Sequence, residues 1–167
     1  MKAEDIIKVL DLVPLEGEGG YYRETYKSPN RFTNTALPQG SSGAHSLSTC
    51  IYYLITPDSF SGMHRLPTDE IWHFYMGDIA EQIQILPNGE IKIITMGTQI
   101  LAGEVPQLIV PANAWQSTRL AAGGKFALFG TTMSPGFEFS DYSAANKELL
   151  IQQYPAHKDL ISGFFHQ

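Results

Sequence analysis

The chain has 167 residues, of which 43% are hydrophobic and 17% are charged, and this balance predicts one globular domain over residues 1–167. Its formal net charge of −6 opposes binding to nucleic acid, and no apolar stretch reaches the roughly 20 residues that span a membrane. The lone Cys50 excludes an internal disulfide, and the acidic start of the chain is unlike a secretory signal. We therefore expect a cytoplasmic protein whose partners include neither nucleic acid nor a membrane.

A short amphipathic helix is predicted within residues 1–13. Its apolar residues recur three and four positions apart, which places them on one face of a helix. Val13-Pro14 and the glycine-rich residues 17–20 end this helix. The residues of the apolar face are Ala3, Ile6, Ile7 and Leu10.

Residues 20–133 are predicted to form a β-barrel, because their hydrophobic pattern has a period of two and turns are frequent. Asn88-Gly89 predicts a tight hairpin, since both residues accept positive φ angles. Residues 121–124, Ala-Ala-Gly-Gly, predict a second hairpin between the last two strands. The predicted strands are Tyr21–Tyr26, Ser48–Ile55, Ser61–Leu66, Glu70–Met76, Gln82–Leu86, Glu90–Ile94, Gln107–Val110, Trp115–Leu120 and Phe126–Met133.

The predicted strand Glu70–Met76 is apolar on both faces, so both faces are expected to be covered. Trp72 and Phe74 share one face with Glu70, whereas Ile71 and Tyr75 point the other way. The outer face is covered either by another element of the chain or by a second subunit. We favour the second subunit and predict a homodimer.

Residues 143–165 are predicted to form a helical tail. Ser143 is placed to cap a helix that runs through Leu150 and stops before Pro155. A shorter helical segment is predicted from His157 to Ile161.

Candidate chemistry concentrates in residues 61–77, the one segment that combines glycine, histidine, glutamate and aromatic residues. It contains His64 and His73. A glutamate on the face of Trp72 is costly to bury without a partner, so Glu70 is either paired structurally or active in a cavity. The other histidines are assigned to a loop without a role or to the surface of the tail: His45, His157 and His166.

This segment resembles the first cupin motif, His-x-His, three or four residues, Glu, six residues, Gly. Glu70 and Gly77 match its second half, His64 stands at the first histidine and Leu66 replaces the second. The second cupin motif, Pro-x-Gly-x-x-His, resembles Pro111 to Gln116. In that segment Asn113, which tolerates a left-handed conformation, stands at the glycine and Gln116 at the histidine.

A longer resemblance extends along nearly the whole chain, to the uncharacterised cupin family labelled predicted sugar epimerases. It implies an all-β fold, the cupin double-stranded β-helix or jelly-roll barrel, with short N- and C-terminal helices. The resemblance also implies a homodimer and a small-molecule ligand inside the barrel. The matching segments are Gly19–Tyr26, Asp69–Asp78, Gln107–Pro111 and Ser134–Phe137.

Most metallo-cupins hold iron, manganese or zinc with three histidines and one glutamate. In this chain the corresponding positions are His64, Leu66, Glu70 and Gln116. Two good ligands and one amide oxygen do not normally retain a transition metal, so we expect no tightly bound metal. A weak divalent metal would contact His64, Glu70 and Gln116. His73 would complete the set only if a bulge turned it to the face of Glu70.

A cupin without metal can still perform acid–base chemistry, as do the keto-sugar 3,5-epimerases that share the jelly-roll architecture. His64 is then the candidate base and Glu70 the carboxylate that orients it, with Tyr22 or Tyr26 as the acid. Arg23 is expected to hold a phosphate or carboxylate. The other expected substrate-binding residues are Trp72, Phe74, Trp115 and Gln116.

Three interpretations stay open at this point. The first is a metal-free isomerase or epimerase that acts on a sugar-like substrate. The second is a non-catalytic sensor or carrier of a small molecule, and the third is a metalloenzyme completed by His73. The incomplete ligand set favours the first two, and we take the first as the leading hypothesis.

Overall fold

The computed structural model describes residues 1–32, 37, 41 and 43–165, and thirteen strands and three α-helices lie in these ranges. The strands are β1 (Val13–Pro14), β2 (Tyr21–Lys27), β3 (Arg31–Phe32), β4 (His45–Ser46), β5 (Thr49–Ile55), β6 (Ser61–Arg65), β7 (Glu70–Gly77), β8 (Ala80–Ile85), β9 (Ile91–Met96), β10 (Gln107–Val110), β11 (Trp115–Leu120), β12 (Ala127–Met133) and β13 (Ser143–Ala144). The helices are α1 (Ala3–Val9), α2 (Lys147–Gln153) and α3 (Lys158–Ser162).

Two antiparallel sheets form the body of the protein. The larger has the strand order β1-β2-β5-β12-β7-β10, and the smaller has the order β13-β6-β11-β8-β9. Strands that follow one another along the chain repeatedly lie in opposite sheets, which is the topology of a jelly roll. The nine predicted strands are all present, and the predicted all-β double-stranded β-helix with short terminal helices is confirmed. None of the helices in the described ranges is long and apolar enough to cross a membrane.

Period-two alternation directs one row of aromatic side chains into the barrel. Trp72, Phe129 and Tyr53 are almost fully buried, and Phe74 is also buried. Their rings meet edge to face at centroid distances of 5.3–5.5 Å. Each such contact contributes about 1 kcal/mol beyond simple burial. These rings form the packed part of the barrel interior, next to the cavity described below.

The two ends of the chain cover opposite sheets. The predicted apolar face of α1 is confirmed, because Ile6 is buried in a cluster with Leu54 and Leu128 on the outside of the larger sheet. The predicted Ser143 cap is wrong, since Ser143 lies in β13. Helix α2 is instead capped by Asn146, whose Oδ1 accepts a 2.9 Å hydrogen bond from the backbone N–H of Leu149.

One of the two predicted hairpins is confirmed. Strands β8 and β9 pair across the turn at Asn88-Gly89, but only Gly89 has a positive φ, of 87°. The second hairpin prediction was wrong, because β11 and β12 belong to different sheets. The turn closed by Gly124 N–H and Ala121 O, at 3.0 Å, carries the chain from one sheet to the other.

The outer face of β7 stays open in the described part of the chain. Ile71 is half-buried, and Tyr75 is 50% exposed with its ring edge-on to Tyr52 at 6.2 Å. The neighbouring strand β10 adds Ile109, which pairs with Ile71 and is 56% exposed. No described element covers these side chains, so the second-subunit hypothesis remains the prediction for this face.

We predict that the protein is a homodimer through this face, with a mass twice the 18.5 kDa of the chain. Ile71→Glu combined with Tyr75→Asp should give monomers, because burying two unpaired carboxylates opposes association. Light scattering at micromolar concentration measures the mass. Leu149→Asp is the control, since Leu149 is 64% exposed on α2, away from the larger sheet. A monomeric parent protein would contradict the prediction.

Candidate functional site

A cavity of about 210 Å³ lies inside the barrel, between inward-facing residues of both sheets. It opens to solvent beside Glu24 and Phe139, which line it and are exposed. Its lining combines carboxylates, hydroxyls and one imidazole with aromatic and aliphatic walls. The lining residues are Leu15, Glu18, Tyr22, Glu24, Thr49, Ile51, Tyr53, His64, Leu66, Glu70, Trp72, Thr131, Met133, Phe137 and Phe139.

The imidazole of His64 is fixed in one orientation and one tautomer. Its Nδ1 lies 2.8 Å from the carbonyl oxygen of Gly62. A carbonyl oxygen only accepts, so Nδ1 carries the proton and Nε2 of the neutral ring has a free lone pair. Nε2 lies 4.0 Å from Oε2 of Glu18, and the ring stacks on Tyr142 at 5.2 Å. The expectation that Glu70 orients His64 was wrong, because the backbone at Gly62 does so.

Glu18 is a site residue that the sequence reasoning missed. It lies between Gly17 and Gly19, whose φ angles of 84° and 102° are accessible at little cost only to glycine. The loop bends so that Glu18 Oε1 accepts a 2.8 Å hydrogen bond from the hydroxyl of Ser61. The sequence Gly-Glu-Gly-Gly just before a strand was the available signal, because glycines on both sides of a carboxylate allow it to turn inward.

The carboxyl group of Glu70 is buried and bonded across the barrel. Its Oε2 accepts a 2.8 Å hydrogen bond from the amide Nε2 of Gln116, whose Oε1 is buried with no partner among the described residues. Burial raises the pKa of Glu70, and the nearby charge of Glu18 raises it further. The His64 charge and the Gln116 hydrogen bond act in the opposite direction. Burial is the largest cause, so this carboxyl group retains its proton to a higher pH than an exposed one.

Three tyrosines, Tyr22, Tyr53 and Tyr142, line the cavity or contact a residue that lines it. Tyr22 lines it, whereas Tyr26, the other candidate acid, is 50% exposed and does not contribute to the lining. Burial raises the pKa of Tyr53 well above its usual range, and the charge of Glu18 adds to that shift. Burial and Glu18 likewise raise the pKa of Tyr142. Tyr53 and Tyr142 therefore remain protonated hydroxyls, and Tyr53 donates a 2.8 Å hydrogen bond to the carbonyl of Gly19.

Three of the expected substrate-binding residues lie outside the cavity. Arg23 alternates outward from Tyr22, where it pairs with Asp11 at 3.7 Å. Trp115 alternates outward from Gln116 and stacks under Arg65, 4.5 Å from its guanidinium carbon. Phe74 is buried as predicted but packs on Phe129 and does not line the cavity. The predictions that these three residues line the cavity were wrong. Tyr22 and Trp72 do line the cavity, and Gln116 is hydrogen-bonded to Glu70, which lines it.

A buried contact between a histidine and an aspartate holds the segment that forms the mouth of the cavity. His45, expected in a loop without a role, is fully buried in β4 with its Nε2 2.6 Å from Oδ2 of Asp141. Asp141 ends the short 3₁₀ turn Phe139–Asp141. This contact therefore positions Phe139 at the cavity mouth and Tyr142 against His64. The partners are far apart in sequence, so no local pattern signalled the pair.

The residues at the cupin ligand positions do not fit a tightly bound metal. Leu66 presents an aliphatic side chain to the cavity, and Gln116 uses its amide N–H to bond Glu70. His73 does not complete the set, because it points outward, 3.3 Å from Oγ1 of Thr132, and the bulge in β7 comes after it. Within the described residues, no cluster of three or more His, Cys, Asp and Glu side chains could hold a metal ion.

Comparison with known sequences identifies the family. Residues 4–145 match the family described as "Cupin superfamily (DUF985)". The chain belongs to this cupin family. The "Uncharacterized protein YML079W" of Saccharomyces cerevisiae is 31% identical over 134 residues, which cover 75% of this chain and 67% of the yeast protein.

Solved structures show the same fold. A hypothetical protein from Leishmania major is 31% identical over the whole of both chains, with a TM-score of 0.88. Protein SO0799 from Shewanella oneidensis is 33% identical over 99% of this chain and 98% of its own, with a TM-score of 0.87. Oxalate decarboxylase from Bacillus subtilis, at 18% identity, aligns 93% of this cupin with 38% of its own chain at a TM-score of 0.53. The last likeness shows the fold alone.

The raised pKa of Glu70 predicts a pH-dependent stability. A carboxyl group that binds its proton more tightly when folded stabilises the protein below its unfolded pKa, here near 4.5. That contribution is lost as the pH rises through the folded pKa. Glu70→Gln keeps an oxygen for Gln116 but does not titrate. Its Tm relative to the parent should therefore rise with pH by about 2–4 °C for each 1 kcal/mol.

Thermal unfolding at a series of pH values from about 4 to about 8 measures this difference. Glu90→Gln is the matched control, because Glu90 is exposed on the β8–β9 turn. The control should keep a constant Tm difference from the parent. A constant difference for Glu70→Gln as well would contradict the raised pKa.

The purified protein should carry well under one equivalent of iron, manganese, nickel or zinc. Leu66→His combined with Gln116→His should raise the affinity for Mn²⁺ and Zn²⁺, because imidazole is a better ligand than either side chain. Elemental analysis and calorimetric titration measure content and affinity. Adding His64→Ala to the double variant should remove the gain. About one bound metal per parent chain would overturn this prediction.

Proposed function

We propose that this cupin is a metal-free isomerase or epimerase that moves a proton next to a carbonyl group in a sugar-like ligand. The single observation that carries the proposal is the geometry of His64. Its Nδ1–H is bonded to the Gly62 carbonyl, so that in the neutral ring Nε2 carries a free lone pair at the wall of the cavity. An enzyme that removes a proton from carbon needs a base in this state.

Glu18 supplies the counter-charge for this base. When Nε2 takes a proton, the imidazolium lies 4.0 Å from the Glu18 carboxylate. The Ser61 hydroxyl and the glycine loop fix that carboxylate in place, so little reorganisation is needed as the charge develops. Glu18 is therefore the carboxylate partner of His64, the position that the sequence assigned to Glu70.

Glu70 supplies the acid. Burial raises the pKa of this carboxyl group, which favours its protonated form, and Gln116 fixes its orientation. A protonated carboxyl group in a cavity can donate to the oxygen of a bound carbonyl. The hydroxyl of Tyr22 and the indole N–H of Trp72 are further donors on the wall. Together these groups stabilise the enol oxygen while His64 holds the proton taken from carbon.

The reaction is balanced without a metal or a redox cofactor. His64 Nε2 takes the proton from the carbon next to the carbonyl, and the C–H electron pair becomes the C=C bond of an enol. The carbonyl oxygen receives the proton of Glu70. Delivery of a proton to the opposite face of the same carbon by the Tyr22 hydroxyl gives an epimer, after which Glu70 takes its proton back from the enol oxygen, His64 loses its proton to solvent and Tyr22 regains one from solvent. Delivery of the His64 proton to the former carbonyl carbon gives an isomer, because the neighbouring hydroxyl then gives its proton to Glu70 and becomes the new carbonyl group.

Deuterium exchange tests the proposal. Small hydroxyaldehydes and hydroxyketones are incubated with the protein in D₂O, and loss of the C–H signal is followed by NMR. His64→Ala should lower the exchange rate by about 10²–10⁴-fold, the usual contribution of a general base. Glu70→Gln should slow exchange while the ligand still binds, because Gln cannot donate the acid's proton. His157→Ala is the matched control, since His157 is exposed outside the barrel.

Two results would contradict the proposal in different ways. If a ligand binds in the cavity and no deuterium enters it, the protein is a binding module, a sensor or carrier. If exchange is unchanged in His64→Ala, the base has been assigned to the wrong residue.

A further inference from the structure

The cavity concentrates negative charge. The carboxylates of Glu18 and Glu24 line it, whereas burial raises the pKa of Glu70, the third carboxyl group of the lining. Within the described part of the chain, no lysine or arginine side chain contributes to its lining. A site for a phosphate or carboxylate would present cationic side chains or a helix N-terminus to the anion. This lining has the opposite charge, so like-charge repulsion opposes entry of an anion.

The cationic side chains on the strands around the cavity are engaged elsewhere. Arg23 on β2 pairs with Asp11 on the outside of the sheet. Lys27 and Arg31 both pair with Glu138, at 3.3 Å and 3.4 Å. Arg65 on β6 lies over Trp115. None of these contacts turns a cation towards a ligand in the cavity, so the negative charge of the lining is not offset there.

Two buried polar atoms beside the cavity lack a partner. Trp72 lines the cavity and is 1% exposed, and its indole Nε1–H has no acceptor in the described part of the protein. Gln116 is also 1% exposed, and its Oε1 has no donor among the same residues. A buried donor or acceptor without a partner destabilises the protein unless a ligand pairs with it. A hydroxyl or carbonyl oxygen of a ligand would accept from Trp72, and a ligand hydroxyl can also donate.

The size of the cavity limits the ligand further. Its volume of about 210 Å³ is below the roughly 300–1,000 Å³ of sites for drug-sized molecules. A nucleotide-linked sugar does not fit inside it. A single small sugar-like unit is therefore the largest ligand that this space would enclose.

We infer that the ligand is an uncharged, unphosphorylated hydroxyaldehyde or hydroxyketone of monosaccharide size or smaller, and that the cavity excludes sugar phosphates and nucleotide sugars. The part of this inference that the ligand contains a carbonyl group rests on the proposed function. The selection against anions rests on the carboxylates of Glu18 and Glu24 and on the lack of lysine and arginine side chains among the described lining residues, and binding measurements test it separately.

The test uses Trp72 as a reporter inside the cavity. The chain has two tryptophans, and Trp115 lies outside the cavity, so Trp115→Phe leaves one indole signal. This variant, labelled with ¹⁵N, is titrated with D-fructose and D-fructose 6-phosphate, and then with dihydroxyacetone and its phosphate. The uncharged member of each pair should shift the indole N–H resonance. The phosphorylated member should bind at least about tenfold more weakly. Added salt should reduce this difference in affinity, because it screens the repulsion between the phosphate and the carboxylates.

Charge variants identify the source of the discrimination. Glu24→Gln removes one charge at the cavity mouth. It should reduce the difference in binding affinity between the uncharged and the phosphorylated compound of each pair. Glu4→Gln removes an exposed charge on α1 and should leave this difference in affinity unchanged. Equal or tighter binding of the phosphorylated members overturns the inference, and so does a difference that Glu24→Gln leaves unchanged. The inference is also overturned if neither uncharged compound shifts the Trp72 resonance.

The outcomes separate this inference from the proposed function. Binding of an uncharged compound without deuterium exchange keeps the ligand class and removes the isomerase. Exchange in a phosphorylated compound that binds better than its uncharged partner keeps the isomerase and removes the ligand class.

Discussion

The carboxyl group of Glu70 lies inside an apolar barrel, and the arrangement around it follows from the cost of burying it. A buried carboxyl group must be bonded, neutralised or both, and here Gln116 bonds it from the opposite sheet at 2.8 Å. That bond joins β7 and β11 across the barrel and uses the side chain that stands at a cupin metal-ligand position. Burial and the charge of Glu18 then favour the protonated form. The carboxyl group that links the two sheets through Gln116 is therefore also the group that favours a bound proton.

Strand alternation made part of the site predictable. It correctly placed Glu70 and Trp72 inside the barrel, and the cupin spacing correctly brought His64 and Gln116 to the same end. The left-handed turn at Asn113 is also present, with a φ of 63°. The errors came from applying alternation incompletely. Tyr22 and Gln116 face inward. Arg23 and Trp115 are their neighbours in the sequence, so the same period of two directs Arg23 and Trp115 outward.

The remaining features depend on contacts between distant parts of the chain. Phe74 is buried as predicted, but its ring packs on Phe129 of another strand and does not line the cavity. The pairing of His45 with Asp141 joins residues that no local pattern links. The turn at residues 121–124 is compatible with both a hairpin and a crossing between sheets. Which of the two occurs depends on where β12 finds its partners, since turn chemistry describes only the reversal of the chain.

The same electrostatic condition connects the chemistry of the site to its ligand. In a metallo-cupin, a cation would offset the negative charge of carboxylates in the cavity. Leu66 and Gln116 remove two ligands for such a cation, and no lysine or arginine among the described residues lines the cavity in its place. The carboxylates Glu18 and Glu70 must then be balanced by protons, by the imidazolium of His64 or by hydrogen bonds from a ligand. The raised pKa of Glu70 follows mainly from burial, and the charge of Glu18 adds to it. The same Glu18 charge opposes anionic ligands, so removing it should lower the pKa of Glu70 and weaken the exclusion of anions together.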